Sequence, residues 1–146
     1  MRRFIVVPIL FLAGLVGPQS LNASDTIWSA LVLATNESPP RTGPRKLERF
    51  APTIQKVFGY NSLYLLGDSS NEITSGTEQW LVPSRDFFFQ VACKSRDDTR
   101  YVLRLELFRG DSPLLTTEVR LARNAPLYVR GPQWGDGQLV LLLEIR

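Results

Sequence analysis

The chain has 146 residues, 17 basic and 14 acidic, with one cysteine and no histidine. That length suits a single hydrophobic core. The missing histidine excludes Ser-His-Asp and Cys-His catalysis in their usual forms and histidine-ligated zinc or copper. A single cysteine excludes an intrachain disulfide, thiolate zinc sites and iron–sulfur clusters.

The N-terminus reads as a leader for export. Arg2 and Arg3 precede an apolar run from Phe4 to Gly17, and Pro18-Gln19-Ser20 then leads to the small residue Ala23. A positive start, an apolar centre and a small residue before the cut are the marks of a cleavable signal peptide. The run is shorter than the roughly 20 residues a membrane-spanning helix needs. Residues 1–23 are therefore expected to be removed, leaving 24–146 as one β-rich domain in the periplasm or secreted. Leu12-Ala13-Gly14 begins like a lipobox, but Leu15 stands where lipid attachment needs a cysteine. No later segment is apolar enough to span a membrane. Loss of Arg2 and Arg3 leaves basic and acidic residues nearly balanced, which argues against nucleic acid as a partner.

Ile27–Thr35 is a compact apolar run and the first expected strand. The loop Asn36–Pro44 follows, rich in proline; its Asn36-Glu37-Ser38 is a glycosylation sequon that matters only in a eukaryotic source. The period then changes. Leu47, Phe50, Ala51, Ile54, Val57 and Phe58 recur at spacings of three and four and predict one helix, with Pro44 at its start and Gly59 as its stop. Pro52 lies inside that pattern, where it removes a backbone hydrogen bond.

From Tyr60 onward the chain reads as strands. Leu63–Leu66 ends in the turn cluster Gly67-Asp68-Ser69-Ser70-Asn71, and Glu78–Val82 is closed by Pro83. The spans 87–93, 101–108, 114–121 and 139–146 alternate with period two, each with one apolar face and a more polar one. Short turn-rich links between them suit hairpins. The expected fold is α+β and mostly β: an antiparallel sheet or small sandwich of about six to eight strands, with one helix near the N-terminus. Cys93 alternates with Phe87, Phe89 and Val91, which places it in the core as an inert thiol.

Val57-Phe58-Gly59-Tyr60 at the helix end and the stretch from Pro126 to Val140 resemble segments of small exported proteins of unknown function in Gram-negative bacteria. The resemblance implies an extracytoplasmic setting and carries no activity with it.

No phosphate-binding glycine loop, nucleophile elbow or dinucleotide fingerprint is present, and no cofactor is expected. Carboxylate chemistry needs only two converging acids. Asp97-Asp98 sits at a hairpin tip where a turn role is favoured, and Asp68, Glu72 and Glu78 cluster without the spacing of a calcium loop. Arg109-Gly110-Asp111 matches the tripeptide of animal adhesion proteins, though all three are common turn residues. Arg45, Lys46 and Arg49 make the helix basic, a solvated face or a patch for anionic lipid, polysaccharide or an acidic partner. Trp134, bracketed by Gly131, Pro132, Gly135 and Gly137, either folds back to cap the end of the barrel or sandwich or stands out on its loop to stack on a sugar or a partner. The leading expectation is an exported, non-enzymatic binding or scaffolding module, with Trp134, Arg45, Lys46 and Arg49 as the candidate surface. Its partner would be another extracytoplasmic protein, a polysaccharide or a membrane surface. A histidine-free hydrolase using paired carboxylates and an adhesion domain acting through 109–111 are the alternatives.

Overall fold

A computed structural model describes residues 25–97 and 99–146; the expected leader, 1–23, and Asp98 lie outside the described residues. The strands in chain order are β1 Asp25–Thr35, β2 Ser62–Ile73, β3 Gln79–Val82, β4 Phe88–Arg96, β5 Arg100–Arg109, β6 Ser112–Ala122, β7 Leu127–Trp134 and β8 Gly137–Ile145. One helix, α1 Ala51–Phe58, lies between β1 and β2. Two four-stranded antiparallel sheets result, a first ordered β2-β1-β8-β7 and a second ordered β3-β4-β5-β6. The mostly β architecture expected from the sequence is therefore the one the chain adopts. It crosses between sheets at the β2–β3 and β6–β7 links.

Period two decides what lies between the sheets. Phe89, Val91 and Cys93 of β4 and Leu103, Leu105 and Leu107 of β5 face Leu139, Leu141, Leu143 and Ile145 of β8. Each such leucine contributes about 1.5–3 kcal/mol by leaving water. Cys93 is buried in this core, on the face its alternation predicts, and burial pushes its thiol up from the ordinary range.

β8 departs from the expected polar face. All nine of its residues are buried, because its other face meets a second core. There Val140 and Leu142 of β8 join Trp28, Ala30, Val32 and Ala34 of β1, under a cover of Leu47, Phe50 and Ile54. The first sheet is thus packed on both faces.

The cover is not one helix. A 3-10 turn, Arg45–Leu47, is followed by a fresh start of α1 at Ala51. Pro52 falls in the first turn of α1, where its missing N–H has no helical partner to lose. Gly59 closes the helix with φ +79° and donates its N–H to the Gln55 carbonyl. Leu47, Phe50 and Ile54 face the sheet with Phe58 partly beside them, while Val57 lies off that stripe and is 59% exposed.

Two segments read as loops are strands. Gly67–Asn71 continues β2 along β1, with Ile27 opposite Asn71 and Leu31 opposite Gly67. Glycine is required at 67 because a Cβ there would stand 1.6 Å from the Pro83 carbonyl oxygen, where β2 and the end of β3 touch. β7 was not expected at all. It is an edge strand whose irregularity between Arg130 and Gln133 accommodates Gly131 and Pro132, and proline is tolerated at such edges and bulges.

Candidate binding face

The four residues singled out from the sequence lie on two separate surfaces. Lys46 and Arg49 stand over the outer side of the first sheet and are engaged within the domain. Lys46 pairs with Asp68 at 2.8 Å, and Asp68 also accepts the Trp28 indole N–H at 3.0 Å. Burial pushes the Asp68 carboxyl upward, but the Lys46 and Trp28 hydrogen bonds outweigh it and hold the group below the usual range. Arg49 donates to the buried carboxylate of Glu144, with Arg146 at 3.6 Å on its other oxygen. Phe50 stacks on Trp28 with ring centres 5.2 Å apart. These charges fasten the cover to the sheet. Arg45 alone of the three has no ion pair among the described residues.

Trp134 does not join them. It ends β7, opposite Gly137 in a tight hairpin, and its half-buried ring packs against the inter-sheet core. Phe87 meets it edge-on at 4.9 Å, and the Arg109 guanidinium lies over it at 4.3 Å. The 109–111 triplet is the β5–β6 turn, with Gly110 at φ +57°. Its arginine is laid on Trp134, and the aspartate stands on the other side of the turn.

The acids named for carboxylate or calcium chemistry are dispersed. Glu78 closes the β2–β3 link by accepting the backbone N–H groups of Thr74, Ser75 and Gly76. The Ser75 N–H is the main reason its carboxyl is held far below the usual range. Asp97 accepts the N–H groups of Thr99 and Arg100 in a hairpin turn, and the first of these chiefly lowers its pKa. The second crossing is tied by Asp25, which receives the Arg123 guanidinium and the Tyr101 hydroxyl. The Arg123 bond leads in holding Asp25 down.

The open surface is the outer side of the second sheet. No helix covers it among the described residues, and two large apolar side chains stand out on it, Leu81 at 49% and Phe88 at 46% exposure. Phe88 pairs across the strands with Phe108, ring centres 6.1 Å apart. The next row is Leu81, Gln90, Glu106 and Thr116, and the one beyond is Gln79, Ala92, Arg104 and Glu118. One end of the face is thus aromatic and the remainder polar. A groove of about 650 Å³ occupies the aromatic end, bounded by Arg85, Asp86, Phe88, Gln90, Phe108 and Asp111. Two smaller hollows lie beside it on the same face, one sharing Gln90 and Glu106 with the groove and the other sharing Arg104 with the first. Phe87 links this end to Trp134, since it lines the groove and packs on the indole.

Phe88 and Phe108 were not among the expected site residues. Their signal is in the sequence: in Phe87-Phe88-Phe89 a period-two strand must send the middle ring away from the core. Comparisons with protein-family models, curated proteins and solved structures give no match to this chain. No helix among the described residues is long and apolar enough to cross a membrane.

Proposed function

We propose that the protein is an exported, non-enzymatic binding module and that its binding face is the aromatic end of the second sheet. The observation that carries this reading is the pair Phe88–Phe108 with Leu81 nearby, large apolar groups left partly in water on a face whose other positions are mostly polar. Exposed apolar surface of this kind, rimmed by polar side chains, marks sites of association. The frame beneath it is rigid. The inner faces of β4 and β5 are fully packed, so the rings are presented on fixed strands and little order remains to be imposed on binding. Trp134 supports the end of the groove through Phe87 and Arg109, and the basic cover of the first sheet is a fastening.

The reading is tested by photocrosslinking in cells that make the chain with its own N-terminus. A photoreactive phenylalanine analogue at position 88 should give an adduct on exported protein that begins at Ser24, and the same analogue at Arg45 should give none. Adducts at 45 and not at 88 would move the binding face to the basic cover. A chain that keeps Met1 and stays in the cytoplasm would overturn export.

A further inference from the structure

We propose that the ligand of this face is an uncharged polysaccharide chain, a proposal that rests on the aromatic end being the binding face. Three observations converge. The first is shape: the groove and two smaller hollows lie side by side on the outer face of the second sheet, with Gln90, Glu106 and Arg104 on the borders between them. A set of neighbouring open sites suits an extended polymer better than a compact small molecule. The second is the aromatic end. A pyranose ring has an apolar face of C–H groups, and an exposed phenyl ring such as Phe88 offers the matching surface.

The third is charge. On this face Arg104 is paired with Glu106 at 2.6 Å, and Lys94 of β4 reaches across β5 to Glu118 of β6 at 3.5 Å. At the aromatic end Arg85 stands beside Asp86 and Asp111. The face therefore presents both signs without a strong excess of either, complementary to an uncharged ligand and unsuited to a polyanion or a strongly cationic peptide. What it offers in quantity is hydrogen bonding in both directions. Gln79 and Gln90 carry amides that donate and accept, Arg85 donates, and Asp86, Asp111 and Thr116 accept. A hydroxyl, which also donates and accepts, can satisfy each of these. Apolar rings at one end and donors and acceptors across a face of balanced charge fit the two surfaces of a sugar polymer.

The experiment is affinity electrophoresis of the whole domain through gels containing soluble neutral glucans, mannans or xylans, with polygalacturonate as the charged counterpart. At least one neutral polymer should retard the protein. Phe88→Ala should weaken that retardation about tenfold, the scale of one lost aromatic contact, and Gln90→Ala should weaken it less. Arg45→Ala should leave it unchanged, and unaltered circular dichroism would show that the Phe88 variant is folded. Equal retardation by polygalacturonate, or full retardation of Phe88→Ala, would overturn the proposal. If no neutral polymer acts while crosslinks at position 88 persist, the saccharide is wrong and the binding face stands; loss of both removes both.

Discussion

The two sheets have outer faces of opposite fate. That of the first carries Trp28, Ala30, Val32, Ala34, Val140 and Leu142, and it is buried beneath Leu47, Phe50 and Ile54. That of the second carries Gln90, Arg104, Glu106, Thr116 and Glu118; it lies bare throughout and is mostly polar, with one aromatic corner. The difference is written in side chains. A strand apolar on both faces, such as β8, must be sandwiched on both sides, whereas a strand with glutamine, arginine and glutamate at alternate positions holds its ladder equally well beside water. The aromatic corner is then the informative exception, because Phe88 and Leu81 keep about half of their apolar surface in water where they stand.

Two phenylalanines, one on each outer face, make the comparison measurable. Phe50 is 1% exposed, stacked on Trp28 and edge-on to Tyr128. Phe50→Ala should cost about 3–5 kcal/mol in chemical denaturation. A loss below about 1 kcal/mol would mean that the cover contributes little and that the two faces are alike.

Acid probes the joints between the sheets. Glu78 at one crossing and Asp25 at the other have folded pKa values below their unfolded ones. Their contribution to stability is present above the unfolded carboxylate range, about pH 4, and is lost as pH falls through the depressed folded values. Stability should therefore decline below about pH 4, and Glu78→Gln should be less stable than wild type at neutral pH with a shallower acid decline. Urea midpoints across that range decide it; parallel wild-type and variant curves would show that the turn holds without the charge.

The smallest effect belongs to the bare face. Phe88→Ala should change stability by no more than about 0.5 kcal/mol, as for an exposed position. A loss comparable with that at Phe50 would mean that Phe88 supports the fold, and the case for a presented ring would weaken.

Much of the fold was legible in single residues. Leu103, Leu105 and Leu107 alternating with Arg104 and Glu106 marked β5 and its inner face, and Phe89, Val91 and Cys93 did the same for β4. β7 was hidden because Gly131 and Pro132 break its pattern, and only pairing with β8 shows that an irregular edge absorbs them. The far half of β2 was hidden for a related reason. Gly67, Ser69, Ser70 and Asn71 have poor strand propensity, and pairing along β1 overrides it. The helix period was correct for Leu47, Phe50, Ile54 and Phe58 but took in Val57 as well, which the fold leaves exposed beside that stripe. At the site, the outward turn of Phe88 was implied by its neighbours. That Trp134 folds onto Phe87 and Arg109 depends on three segments meeting in space, and no local pattern encodes it.

The order in which the chain visits its sheets has a consequence for how it is made. The second sheet is one uninterrupted meander, β3 to β6, whose neighbours in space are also neighbours in sequence. The first sheet is split between the ends: β1 must wait for β8, where Ile27 meets Ile145 and Leu33 meets Leu139. Contacts so distant in sequence form late. A chain emerging from its N-terminus can build the meander early, while the doubly apolar β1 stays unpaired on one edge until the last strand arrives. Through that interval the aggregation hazard lies with β1, whose apolar edge waits for its distant partner.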